Sequence, residues 1–123
     1  MAKRTGRGDR GQAAVEFIGM LPVLILIGLA VIQTGIAMYA MEQAGTAARA
    51  AARTAGRPGM ENGCRRAGEA AISGWVAKRT EIRCRIGVDE ATASAEVSIP
   101  SIIGFDLGST TKTVTMPRDT ARP

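Results

Sequence analysis

Polar and apolar positions follow three successive regimes along this chain. Residues 17–41 (FIGMLPVLILIGLAVIQTGIAMYAM) contain no charged side chain. As an α-helix this stretch extends roughly 37 Å at about 1.5 Å per residue, against about 30 Å of bilayer hydrocarbon. It is therefore long enough to span a membrane with some tilt. Residues 42–55 (EQAGTAARAAARTA) are rich in alanine, the strongest helix former. They continue the helix until Gly56, Pro58 and Gly59 stop it. The pattern predicts one helix over 12–55, with its lower half in lipid and its upper half inside a folded domain.

After a turn-rich connector, Cys64, Ala67, Gly68, Ala71, Ile72 and Trp75 recur at helical spacing on one face, opposite Arg65, Arg66, Glu69 and Ser73. This predicts a short amphipathic helix that packs by its small-and-Trp side. The period then changes to two. Ile82, Cys84, Ile86 and Val88 alternate with Arg83, Arg85 and Gly87. Ala91, Ala93, Ala95, Val97 and Ile99 alternate with Thr92, Ser94, Glu96 and Ser98. These read as two half-buried antiparallel strands around a turn at Asp89 and Glu90. An apolar loop (PSIIGFDLGS) follows. Residues 110–116 read as a third strand with Val114 and Met116 inward, and the tail after Pro117 is expected to fray.

The fold class expected is thus α+β. A long N-terminal transmembrane helix continues into a small domain with one short helix and a three-stranded antiparallel sheet. Three segments follow: a basic leader (1–11), expected to be disordered; the helix 12–55, with its span at 17–41; and an αβ domain (56–123). The expected core is Trp75, Ile82, Ile86, Val97, Ile99 and Val114.

Charge and composition narrow the function. The formal net charge is +5, but the basic residues are spread over the leader, the post-membrane helix and the first strand. None is interleaved with aromatics, which make up 3% of the chain, so the stacking platforms of a nucleic-acid binder are missing. The sequence has no His and two Cys, which excludes His-based triads and most zinc sites. Ser and Thr have no base beside them, and no glycine-rich phosphate loop follows a strand. The chain is not expected to be an enzyme, to hold a cofactor or metal, or to take a small-molecule substrate.

Lys3, Arg4, Arg7 and Arg10 favour a cytoplasmic leader, although Arg49, Arg53 and Arg57 follow the span on its other side. The cysteines decide the orientation. Cys64 and Cys84 fall on inward faces, and in an extracytoplasmic domain a disulfide between them is expected. Closing that loop is worth roughly 3 kcal/mol. A secretory signal peptide is the alternative reading of the apolar run. However, such apolar regions usually cover only about 7–15 residues and end in a small-residue cleavage site. Gln33 and Thr34, together with Gly28, Gly35, Ala37 and Ala40, suggest a small-residue face for helix–helix packing within the span.

The most informative stretch is Arg10-Gly11-Gln12-Ala13-Ala14-Val15-Glu16-Phe17, directly before the apolar run. A basic leader ends in glycine, and a carboxylate stands at the mouth of a transmembrane helix, where it is costly. Glu16 alone reads as a side chain that stays in the headgroup layer, and the combination is the more specific signal. This stretch resembles the processing motif of class III, type IV-like prepilins. The AAVEF sequence, Pro22 early in the span and the small αβ domain resemble the TadE-like family, minor pilins or pseudopilins of the tight-adherence (Flp) pilus.

The resemblance implies cleavage by a membrane-embedded prepilin peptidase between Gly11, the last leader residue, and Gln12, the first mature one. It implies that Glu16, followed by Phe17, is the assembly carboxylate that matches the new α-amino group of a neighbouring subunit. The implied partners are the peptidase, other pilin-like subunits and membrane lipid. An uncleaved single-pass protein with a small extracytoplasmic binding domain, and a small secreted protein, are the alternatives.

Overall fold

The computed structural model describes residues 5–119. Helix α1 (Thr5–Ala55) leads into a 3-10 turn (Glu61–Gly63) and two short helices, α2 (Cys64–Ala70) and α3 (Gly74–Ala77). Strands β1 (Thr80–Ile86), β2 (Glu90–Ser98) and β3 (Ser109–Pro117) follow. They form one antiparallel sheet in the order β1-β2-β3. The α+β architecture read from the sequence is the one observed.

α1 has two halves with opposite environments. Ala40, Ala44, Ala47, Ala48, Ala51, Ala52 and Ala55 are all buried. Their three- and four-residue spacing makes one stripe along the helix. That stripe lies on the alanine face of β2, where Ala91, Ala93 and Ala95 are also fully buried. Methyl groups on both sides let the helix approach the sheet closely, but each contributes only on the order of 0.8 kcal/mol. The largest fully buried side chains are Val76, Val97 and Cys64, so the core is thin.

Below Gln33, which is itself buried, the helix is largely bare. The large apolar side chains from Val15 to Ile27, and Val31 and Ile32 above them, are exposed. None of the most apolar window of this helix is buried in protein, and it is long and apolar enough to cross a membrane. A helix that served as the core of a soluble domain would be covered on at least one side. Pro22 lies inside α1, where its missing N–H removes one intrahelical hydrogen bond.

Several expectations are corrected. The leader is helical from Thr5, since extending a helix already nucleated by the apolar run costs little per residue. Residues 1–4 and 120–123 lie outside the described residues. The predicted single amphipathic helix is broken at 71–73, and this break shifts the helical phase beyond it. Val76 consequently enters the core, while Trp75 is 50% exposed and stacks on Tyr39 with ring centroids 5.9 Å apart.

By strand register, Cys84 and Ile86 share the inward face with Ile82, opposite Ala93 and Ala91. Both are nonetheless exposed, because the helices cover this edge strand only as far as Ile82. Val114, Met116 and Ile99 are partly buried against the core. The chain after Pro117 does not fray at once. Arg118 donates to the Gly87 carbonyl at 3.0 Å and pairs with Glu61 at 2.8 Å, and the Asp119 N–H donates to the Gly56 carbonyl.

Candidate functional site

The residues singled out in the sequence fall into two groups, far apart. Gly11, Gln12, Glu16 and Phe17 all lie on the lower part of α1, and all are exposed. Gln12 and Glu16 are one helical turn apart and so share a face. A Cβ added at Gly11 would meet nothing within 4 Å. No close contact in the fold therefore requires glycine here, although glycine in a helix costs roughly 1 kcal/mol relative to alanine.

The cysteines form the other group. Cys64, at the start of α2, is buried beside Ala47, Ala48 and Ala51. It is disulfide-bonded to Cys84 on β1, with Cα atoms 6.6 Å apart. The bond ties α2 to the edge strand at the point where helical cover gives out. At about 1.5 Å per residue, Ala51 lies roughly 50 Å along α1 from Glu16. The disulfide thus belongs to the domain, and the motif to the foot of the anchor.

Gln33 does not serve the role the sequence suggested. It is buried, and its side chain is bonded within the molecule. Its Nε2 donates to the Pro100 carbonyl at 2.8 Å, and its Oε1 accepts from the Ile102 N–H at 2.9 Å. Its amide is thus taken up by the β2–β3 loop and not left for another helix. The Thr34 hydroxyl donates to the Ala30 carbonyl one turn below, at 2.8 Å. That leaves Gly28 and Gly35, where an added Cβ meets nothing within 4 Å, as open positions on the span.

Sequence reasoning placed residues 100–109 in an apolar loop but did not see that this loop descends to the span. The available signal was the density of large apolar side chains in a segment that forms neither strand nor helix. No curated protein and no solved structure matches the chain. Residues 11–53, running from the glycine of the motif to the alanine stripe of α1, match the family model described as TadE-like protein, and in that segment the chain is similar to this family.

Proposed function

We propose that this chain is a structural or assembly protein, a TadE-like pseudopilin of a tight-adherence pilus, cut by a prepilin peptidase between Gly11 and Gln12. In this reading the leader (1–11) lies in the cytoplasm, the helix 12–55 anchors the protein, and the domain (56–123) faces an oxidising compartment where the Cys64–Cys84 bond persists. The peptidase acts on the chain, which itself performs no catalysis. Glu16 is the assembly carboxylate: a carboxylate at the membrane mouth is costly alone, and the α-amino group of a neighbouring subunit offsets that cost.

The observation that carries this reading is the division of α1. Its foot holds the motif on an uncovered apolar helix, while its upper half is the central element of the domain. The same division argues against release by signal peptidase. A cut beyond Met41 would sever the helix beside the buried Ala40 and Ala44 and would discard Gln33 with its bonds to the loop. The cleavage site lies in a helical turn, which must unwind for hydrolysis, and Gly11 lowers the cost of unwinding.

The N-terminal residue of the mature protein tests the reading. Gln12 is expected. Met1 or Ala2 would indicate the uncleaved single-pass alternative, and a start beyond residue 41 the secreted one. Gly11→Val should leave full-length protein in the membrane, because a β-branched side chain blocks a site shaped for glycine. Normal processing of Gly11→Val would refute cleavage at this bond.

A further inference from the structure

The loop between β2 and β3 is closed at its neck, where the Ile99 N–H donates to the Gly108 carbonyl at 3.0 Å. Gly104 and Gly108 turn it in left-handed conformations (φ +84° and +80°). Between these points it presents Ile102, Ile103, Phe105 and Leu107, all exposed, with Phe105 at 71%. Four large apolar side chains within six residues would be a poor surface in water. The loop's one carboxylate, Asp106, accepts from the Gly108 N–H at 2.8 Å.

Its position relative to the helix gives these side chains a destination. The loop is fastened to Gln33, inside the uncharged run 17–41. If hydrocarbon begins beside Phe17, just past Glu16, about 30 Å at 1.5 Å per residue carries the helix roughly 20 residues, to the neighbourhood of Ile36. Gln33 then lies within the boundary, and tilt places it no shallower. Tyr39 and Trp75, stacked and half-exposed, stand about 9 Å further along the helix. Aromatic side chains with a polar edge favour that level, the headgroup layer. The Tyr39 hydroxyl and Ser73 Oγ are 2.7 Å apart, which satisfies that edge.

We propose that the 99–108 loop is a second membrane contact, inserting Ile102, Ile103, Phe105 and Leu107 into the leaflet on the domain side of α1, with the Tyr39–Trp75 pair in the headgroups above it. The occupant of this apolar face is lipid, because the loop is bonded to Gln33 within the uncharged run whose large apolar side chains are themselves exposed. The inference rests on α1 crossing a membrane. Its consequence is that the domain is held at a set height and rotation on the bilayer instead of swinging on a single helix.

The test uses full-length protein in phosphatidylcholine vesicles whose acyl chains are brominated, which quench tryptophan at short range. The chain has one tryptophan, so Trp75→Phe provides a dark background. In it, Phe105→Trp should be quenched more than about twofold relative to unbrominated vesicles, as an apolar side chain held among acyl chains requires. Leu26→Trp, in mid-span, should be quenched as well, and Val88→Trp, in the exposed β1–β2 hairpin, should not.

Quenching at Leu26 with none at Phe105 overturns the loop contact and leaves the span intact. Absence of quenching at both overturns the span, and the loop contact with it. A protein partner covering the loop would give blue-shifted but unquenched Phe105→Trp emission, which also refutes the proposal. Unaltered protein supplies the check that needs no substitution. Its own Trp75 should be quenched more by lipid brominated near the headgroup than by lipid brominated near the chain end, and the reverse order would contradict the placement.

Discussion

Gln33 and Pro100 are separated by 67 positions in the chain, yet the Gln33 amide donates to the Pro100 carbonyl at 2.8 Å, and its oxygen accepts from Ile102 two residues on. A polar side chain in an uncharged run is thus the point where the loop of the sheet is fastened to the anchor. Gln33→Leu keeps the bulk and removes both bonds. It leaves a carbonyl and an N–H unpaired in a place with little water, at a cost of about 1–3 kcal/mol. Thermal unfolding of the full chain in detergent micelles should register that loss, and an unchanged midpoint would show that the loop holds without Gln33.

Among the described glycines, Gly68 on α2 marks the tightest approach. A Cβ there would lie 2.5 Å from Ile82 Cδ1, 3.0 Å from the Ala47 carbonyl oxygen and 3.2 Å from the Ala51 Cβ. The Ile82 methyl can turn aside, but the α1 backbone cannot. Gly68→Ala should therefore destabilise the domain by about 1–3 kcal/mol, the usual cost of overpacking, despite the better helix propensity of alanine. Denaturant unfolding is the measurement. A gain in stability would mean that α2 moves away from α1 without penalty.

The disulfide should carry a large share of the stability of so thin a core. Replacing Cys64 and Cys84 together by serine is expected to cost about 2–5 kcal/mol. Thiol labelling of the unreduced protein should find both sulfurs unreactive, consistent with the bond between them. Ready labelling of native protein would refute the bridge, and with it the assignment of the domain to an oxidising compartment.

Glu16 should matter for assembly and not for folding. It is exposed on the lower part of α1, about 25 Å along the helix from Gln33. Glu16→Gln preserves shape and removes charge. The unfolding midpoint of the domain should not move, while recovery of pilin-like partners on co-purification should fall. Partner recovery equal to the unaltered protein would show that the charge is not used, leaving the pseudopilin reading to rest on the Gly11–Gln12 motif.

Much of this architecture was legible in the sequence because it depends on periodicity alone. An uncharged run of bilayer length, an alanine-rich stretch ending before Gly56 and two alternating segments around Asp89 determined the apolar span, the C-terminal end of α1 and the pairing of β1 with β2. They did not determine the start of α1, which lies at Thr5 and not at residue 12. The inward alternation of Ala91, Ala93 and Ala95 on β2 was likewise readable, whereas the alanines of α1 were read only as helix formers and their burial as one stripe against β2 was not. The candidate cleavage and assembly residues were visible as a local motif, because the reading of Gly11 through Phe17 uses only neighbours in sequence.

What periodicity could not supply was decided by tertiary contacts. The break at 71–73 reset the helical phase, so Val76 took the core position expected for Trp75, and Trp75 turned out onto Tyr39. Cover from α1 and α2 ends at Ile82, so Cys84 and Ile86 face inward yet remain exposed. Gln33 has the same local pattern whether it meets another helix or its own loop. Only the return of residues 100–102 to the side of α1 distinguishes the two, because a hydrogen bond across 67 positions leaves no trace in local spacing.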